Sequence, residues 1–519
     1  MRRSIELGLL LAVLFSCVAC VGPRLAKCPG EGGRPWQELE SEHFLLQTDL
    51  PPEEARKAVS YLERTRAALL AAAWPSASKQ PMAKVSVYVF GDTGDFENLF
   101  PRRLDGFFTR EDNEPLIVMH GTPDSWQRRF TGLSEASSST LKHELAHYLS
   151  SYFLLRQPRW LGEGLAQFLE TLQLSEDGRT AMLGTPHLDA VSGMKHLLDA
   201  QQRGLLDYEG YSIRNVFSWD KPSESYRDWE IASLYWGSWL VVHWLYNNMP
   251  RAFERYQLML AQGVDPNSAF QKAFDQLIPP NFDGMMFTYL KSGSYQEFTV
   301  LVPPVVLNVL ERPLEDSEVH AARARLAALA AGMAKEGRQE RLALALTEMD
   351  EALKLDPKSL LALSQKVARA PDSLKPALAR AAVDAHPGES RAWVLLAQAL
   401  REVESAKADR EAAYKKAVEL SPDDVSAANG LAWLYVTQGR YQEAFPLARQ
   451  ALVLAPWSPH ILDTYAVAAA GLGRCPEAIL AEQRAIDLLQ EHPDEDLESV
   501  LRARLATFSP TSCSPKLTP

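Results

Sequence analysis

Lys142-His143-Glu144-Leu145-Ala146-His147-Tyr148-Leu149-Ser150 is the stretch on which the reading of this 519-residue chain turns. A helix advances about 100° per residue, so His143 and His147, four apart, stand one above the other on one face. Two neutral imidazoles so placed can hold one zinc ion. Glu144, one step around the helix, then reaches the water that completes the coordination sphere. The segment therefore predicts a metal site and a general base together, and the reaction it points to is hydrolysis of an amide bond. Residues 134–140 (SEASSST) offer N-cap side chains for this helix.

A catalytic zinc takes three protein ligands, and two His with one Glu is a known set. Residues 159–170 (RWLGEGLAQFLE) read as the opening of a second amphipathic helix and offer Glu163. Glu170, two turns further on, and His187 are competing donors, and Glu170 is equally placed to hydrogen-bond a liganding imidazole. A third His of the HExxHxxGxxH kind is excluded, because residues 150–155 hold neither Gly nor His.

Taken together, KHELAHYLS and RWLGEGLAQFLE resemble the gluzincin metallopeptidases, specifically the peptidase-MA-like domains of bacterial proteins. The resemblance spans roughly residues 35–300. It implies a zincin-like α+β domain in which His143, His147 and Glu163 hold Zn2+ and Glu144 is the catalytic base. Gly162 stands where related aminopeptidases often carry Asn. Such a site also needs a donor for the developing oxyanion. Tyr235, within residues 229–243 (WEIASLYWGSWLVVH), and Tyr226 are candidates, although core packing is the simpler role for both; His243 reads as a core or supporting group. No Gly-Ala-Met-Glu-Asn run precedes the motif to hold a free amine, which leans toward an endopeptidase.

Upstream, residues 43–48 and 85–90 are β-branched and aromatic runs expected as strands, and 53–73 is an amphipathic helix. Residues 92–95 mark a turn before a short helical piece at 96–100, and 106–109 with 116–119 suggest a hairpin. Downstream, residues 229–247, 250–256 and 267–274 read as helices with an aromatic core. Residues 297–306, broken by two prolines, read as a linker or edge strand.

The C-terminal third is repetitive. Pro422 to Pro456 spans 34 residues, the tetratricopeptide period, and Leu431, Gly439, Glu443, Ala444 and Ala451 recur as Tyr465, Gly473, Glu477, Ala478 and Ala485. Small residues at these positions let paired helices approach closely, and stacked pairs present a concave face to a protein partner.

The chain opens with Met1-Arg2-Arg3 and an apolar run from Leu7 to Val18, too short to span a bilayer, which is expected to be a secretory signal. Cys20, or else Cys17, sits in a lipoprotein-like cleavage box, so anchoring to a bacterial membrane outside the cytoplasm is expected. Cys475 could pair with Cys513 after export. A net charge of −12 leaves no basic patch for nucleic acid. The expected organisation is a signal at 1–20, a tether at 21–35, the gluzincin-like domain at 36–300, a linker at 301–318, tetratricopeptide-like repeats at 319–495 and a helix end and tail at 496–519. The function expected is that of a zinc metallopeptidase acting on peptide or protein substrates. The alternative is a non-catalytic repeat scaffold whose zincin-like domain is structural.

Overall fold

A computed structural model describes residues 25–75, 79–101, 104–111, 113–126, 140–203, 212–219, 226–274, 281–489 and 494–513. The signal expected at 1–20, with Cys17 and Cys20, lies outside these residues, as do 134–139 of the expected N-cap residues 134–140.

Six strands form a mixed sheet in the order β4-β5-β3-β2-β1-β9. They are β1 (Gln37–Glu40), β2 (Phe44–Thr48), β3 (Val85–Phe90), β4 (Gly106–Glu111), β5 (Glu114–His120) and β9 (Leu310–Pro313). β2, β3 and β5 run parallel; β1 pairs antiparallel with β2, and β4 antiparallel with β5. The parallel β2–β3 pair requires a crossover, and helix α1 (Pro52–Ala73) supplies it. β3 is buried along its whole length because both of its faces are covered. Val85, Val87 and Val89 point into the core shared with α1 and the helix bearing the HELAH motif, while Tyr88 and Phe90 point to the opposite face. Helix α2 (Thr93–Leu99) begins directly at the turn rather than at residue 96, because the Asp92 carboxylate caps it by accepting from the Gly94 and Asp95 amides.

Below the sheet follow α3 (Thr140–Phe153), α4 (Arg159–Glu170), α5 (Leu188–Gln202), α6 (Asp228–Asn248), α7 (Pro250–Ala261), α8 (Pro266–Ala273) and α9 (Phe282–Ser292). α6 is apolar on nearly all sides. Trp239, Leu240, Val241, Val242 and Leu245 are wholly buried, as a helix at the centre of its layer must be. A second sheet, β6 (Gln173–Leu174), β7 (Thr180–Leu183) and β8 (Phe298–Leu301), is antiparallel. The stretch 297–306 thus contributes an edge strand to this smaller sheet.

Ten helices then form antiparallel pairs: α10 (Asp316–Met333) with α11 (Arg338–Leu355), α12 (Leu360–Arg369) with α13 (Lys375–Ala385), α14 (Ser390–Ala399) with α15 (Lys407–Leu420), α16 (Val425–Thr437) with α17 (Tyr441–Leu454), and α18 (Pro459–Gly471) with α19 (Cys475–Leu488). α20 (Glu495–Leu505) packs on the last pair. Ala432, Ala444, Ala448 and Ala451, and then Ala466, Ala478 and Ala485, are fully buried where the helices cross. Gly439 and Gly473, 34 residues apart, each adopt positive φ, +72° and +73°, just past a helix end. Beyond α20, Cys513 is disulfide-bonded to Cys475, fixing the tail to α19.

Two expected boundaries are corrected. Residues 301–318 are not a free linker: β9 adds an edge to the main sheet through β1, and α10 starts at Asp316. The tether expected at 21–35 is, from residue 25, a folded segment, with Cys28 buried and the Gly30 amide held by Asp316. The pairing of Cys475 with Cys513 that the sequence allowed is present and binds the tail as far as Cys513. The linker and the tether share one physical reason. α10 and α11 cover the back face of the sheet, where Val319, Ala322, Leu326 and Ala345 meet Tyr88, Phe90, Phe107 and Val118. Arg325 of α10 closes the contact with ion pairs to Glu111 (2.5 Å) and Glu114 (2.8 Å).

The repeats also return to the front of the molecule. Trp457, between α17 and α18, packs edge-on against Tyr152 of α3 at 4.8 Å. Arg110 of β4 lies between the rings of Trp457 (4.9 Å) and Phe108 (5.0 Å). Tyr152 donates to the Leu454 carbonyl at 3.0 Å. None of the described helices is long and apolar enough to cross a membrane.

Candidate metal centre

α3 carries His143, Glu144 and His147, and α4 carries Glu163 and Glu170. Two devices position these helices, one between α3 and α4 and one between α4 and α6. Lys142, buried and adjacent to the first His, donates through Nζ to the carbonyls of Leu172 (2.7 Å) and Glu170 (3.3 Å), holding the C-terminal end of α4. Burial pushes its ammonium down to about 8, with Glu170 pulling the other way. Gly164 is the second device. A Cβ there would stand 2.6 Å from the Ser238 carbonyl and 2.7 Å from Val242 Cγ2, so only glycine lets α4 lie this close to α6. The sequence reading noticed neither Lys142 nor the reason for Gly164. A lysine at the start of an otherwise apolar helix face was the available signal.

The structure brings His143, His147 and Glu163 together. His143 Nε2 is 3.1 Å from His147 Nε2, and Glu163 Oε2 is 3.6 Å and 3.4 Å from those two nitrogens. Ligands about 2.05 Å from one tetrahedral zinc stand roughly 3.4 Å apart, so the triangle has the size such a site requires. Burial works against charge on His143, but hydrogen bonds to Glu163 and Glu170 outweigh it and raise its pKa well above the usual value. Burial likewise opposes ionisation of Glu163, and the two histidines overcome it and hold the carboxyl far below its ordinary range. Such a cluster of imidazoles around an ionised carboxylate is the electrostatic setting a dication would replace.

The competing donors fall into supporting places. Glu170 Oε2 is 2.7 Å from His143 Nδ1 and Glu170 Oε1 is 2.7 Å from His187 Nε2. Glu170 therefore orients the His143 imidazole, and His187 is bonded to Glu170 rather than to the triangle. Glu144 is pushed up by burial and pulled back by His143 and His147. A cavity of about 330 Å³ opens beside it, lined by His143, Glu144, Glu170, His187 and Tyr235, with Gly106 of β4 at its rim. Tyr235 thus stands in the cleft, its phenol raised to about 12 by burial and by the nearby carboxylates of Glu163 and Glu144. Tyr226 packs against the core and does not line this cavity. His243 is buried away from the triangle, hydrogen-bonded to Tyr289 and the Gly184 carbonyl.

A second, larger hollow of about 720 Å³ lies between the solenoid and one end of the main sheet. Val367 of α12, Arg391 and Val394 of α14 and Val425 of α16 face Lys84 and the β4–β5 turn at Asn113–Pro115.

Residues 413–445 match the family model described as a tetratricopeptide repeat. No curated protein sequence matches the chain. Similar solved structures include a thermophilic TPR protein of Thermus thermophilus at 22% identity over 36% of this chain and 97% of that one (TM-score 0.27). YrrB, titled a TPR protein with an unusual peptide-binding site, is similar at 19% identity over 36% of this chain and 95% of its own (TM-score 0.25). Yeast Tom70 is similar at 13% identity over 70% and 80% (TM-score 0.29). The C-terminal part of the chain is a helical solenoid containing tetratricopeptide repeats.

Proposed function

We propose that the chain is a zinc-dependent metallopeptidase whose repeats receive a polypeptide substrate or partner. The observation that carries this reading is the triangle of His143 Nε2, His147 Nε2 and Glu163 Oε2, with Glu144 facing the same cavity. Bound there, zinc would supply Lewis acidity toward water and the scissile carbonyl. Glu144 has the position to take a proton from the attacking water and hand it to the leaving amine, and its buried setting makes it a stronger base than a surface carboxylate. Tyr235 has a phenol that stays protonated at neutral pH, as a donor to the developing oxyanion must. Glu170 keeps His143 turned with Nε2 toward the ligand triangle.

The proposed setting is outside the cytoplasm, with the chain held to a membrane by a lipid on Cys20 or Cys17. The apolar run after Met1-Arg2-Arg3 and the Cys475–Cys513 disulfide support it, since structural disulfides persist in oxidising compartments. The hollow under the solenoid supports a role for the repeats in holding an extended chain.

The match of residues 413–445 to a repeat model favours a second reading, a non-catalytic scaffold. Metal content and cleavage separate the two. The purified protein should hold zinc at the HELAH cluster and lose it in His143→Ala, and Glu144→Gln should keep the metal while abolishing cleavage of a peptide library. A protein that binds no zinc at this cluster would leave the scaffold reading standing, whereas a fully active Glu144→Gln would rule out Glu144 as the base.

A further inference from the structure

We propose that Cys28, His320 and Glu348 supply three ligands of a second zinc site, completed by water, that fastens the N-terminal segment to the first repeat. Among the described residues, two groups place the ligating atoms of at least three His, Cys, Asp or Glu side chains within 4.8 Å of one another: the HELAH cluster and this one. It stands on the opposite side of the sheet, in the core made by Trp36, Phe96, Val319 and Ala345. A thiolate, an imidazole and a carboxylate are a donor set suited to zinc and poorly suited to calcium or magnesium.

All three residues are buried, Cys28 completely. They come from three separate pieces of chain: the segment before Gly30, α10 and α11. Arg323 Nη1 donates to Cys28 Sγ at 2.9 Å and Nη2 to the Lys27 carbonyl at 3.1 Å. That is the outer hydrogen bond a liganding thiolate commonly accepts. His320 Nδ1 lies 2.7 Å from Glu348 Oε2. Zinc would replace the proton between them and open this contact toward about 3.4 Å, releasing that proton and the one on the Cys28 thiol. The segment it would secure also packs Leu25 and Cys28 into that core. Gly30 donates to Asp316, and Arg323 reaches Lys27; Asp316, His320 and Arg323 all project from one face of α10. A metal joining Cys28 to His320 closes a loop of nearly three hundred residues, where a cross-link restrains the unfolded chain most.

The competing explanation is a metal-free network in which the thiolate and Glu348 are balanced by Arg323 and an imidazolium. Cobalt distinguishes the two, because only a thiolate ligand gives an intense near-ultraviolet charge-transfer band and the HELAH cluster has no sulfur. Full-length His143→Ala should retain close to one equivalent of zinc, and its cobalt form should show that band. Cys28→Ser should remove the band and the equivalent, and Glu348→Gln should weaken binding at least tenfold; if Cys28→Ser does not fold, Glu348→Gln decides. A His143→Ala protein that binds no zinc, or wild-type protein that takes up cobalt with no thiolate band, would overturn the proposal. The readout is independent of catalysis: the band with an empty HELAH cluster sinks the peptidase and keeps this site, and one equivalent of cobalt without the band does the reverse.

Discussion

Replacing Glu170 by Gln tests the logic of the metal centre without touching a ligand. Its two oxygens each stand 2.7 Å from an imidazole nitrogen, His143 Nδ1 on one side and His187 Nε2 on the other, and the side chain is buried. A hydrogen bond to a charged acceptor in such a place contributes about 1.5–3 kcal/mol. Glutamine keeps one acceptor oxygen, removes the negative charge and turns an NH2 toward the other ring, so one of the two bonds is lost. Metal binding makes the His143 imidazole more electron-poor and the missing carboxylate more costly, which places the loss in zinc affinity near 1.4–2.7 kcal/mol, about 10–100-fold in Kd. The assay is competition between the protein and a chromophoric chelator at pH 7, with melting of the metal-free proteins measured in parallel. An unchanged zinc Kd together with a lowered melting temperature would refute the reasoning, since Glu170 would then support the fold and not the orientation of His143.

Three further outcomes follow from particular contacts. Gly164→Ala should cost about 1–3 kcal/mol and weaken zinc binding by shifting Glu163, whereas Gly162→Ala, whose Cβ would meet nothing closer than Gln157 at 3.7 Å, should leave metal affinity unchanged and melt no lower than wild type. Glu482 in α19 is wholly buried, neither of its oxygens has a hydrogen-bond partner, and burial pushes it from 4.5 up to about 8. The unfolded chain therefore loses this proton first, so stability falls as pH rises from about 4.5 to about 8, by an amount on the order of 5 kcal/mol. Glu482→Gln should melt higher than wild type at pH 8 and converge with it toward pH 5. A variant that melts lower at pH 8 would mean that Glu482 is ionised against Arg504, 3.6 Å away, which is itself bonded to Asp463. Finally, Cys475 and Cys513 are 38 residues apart, and the loop entropy of such a cross-link is roughly 4 kcal/mol. Cys513→Ser should show a fall of that order in denaturant titrations, and wild type in reductant should match it.

What the sequence could say depended on how local the information was. His143, His147 and Glu163 lie on two consecutive helices, so their spacing along the chain already set their spacing on helix faces. β3 was visible because every second residue is a large apolar one on each of two buried faces. β1 (QELE) and β9 (LERP) were missed for the converse reason. They are polar, β9 is exposed at the sheet edge, and they meet across more than two hundred and fifty residues of chain. The same distance hid the folding of residues 25–35 against α10 and made residues 301–318 look like a linker. Tyr235 read as packing because a Tyr in an aromatic-rich helix usually is, and only the cavity beside Glu144 separates it from Tyr226.

The seat of α3 has a consequence in time. Tyr152 bonds to a carbonyl 302 residues later, and the face formed by Tyr148, Tyr152 and Arg110 is covered only when Trp457 arrives. At 5–20 residues per second, a growing chain makes HELAH about 15–60 s before the residues that complete its surroundings. The motif exists early and its setting late. A chain interrupted or clipped within the repeats would carry His143, His147 and Glu163 and still lack the surface against which α3 rests.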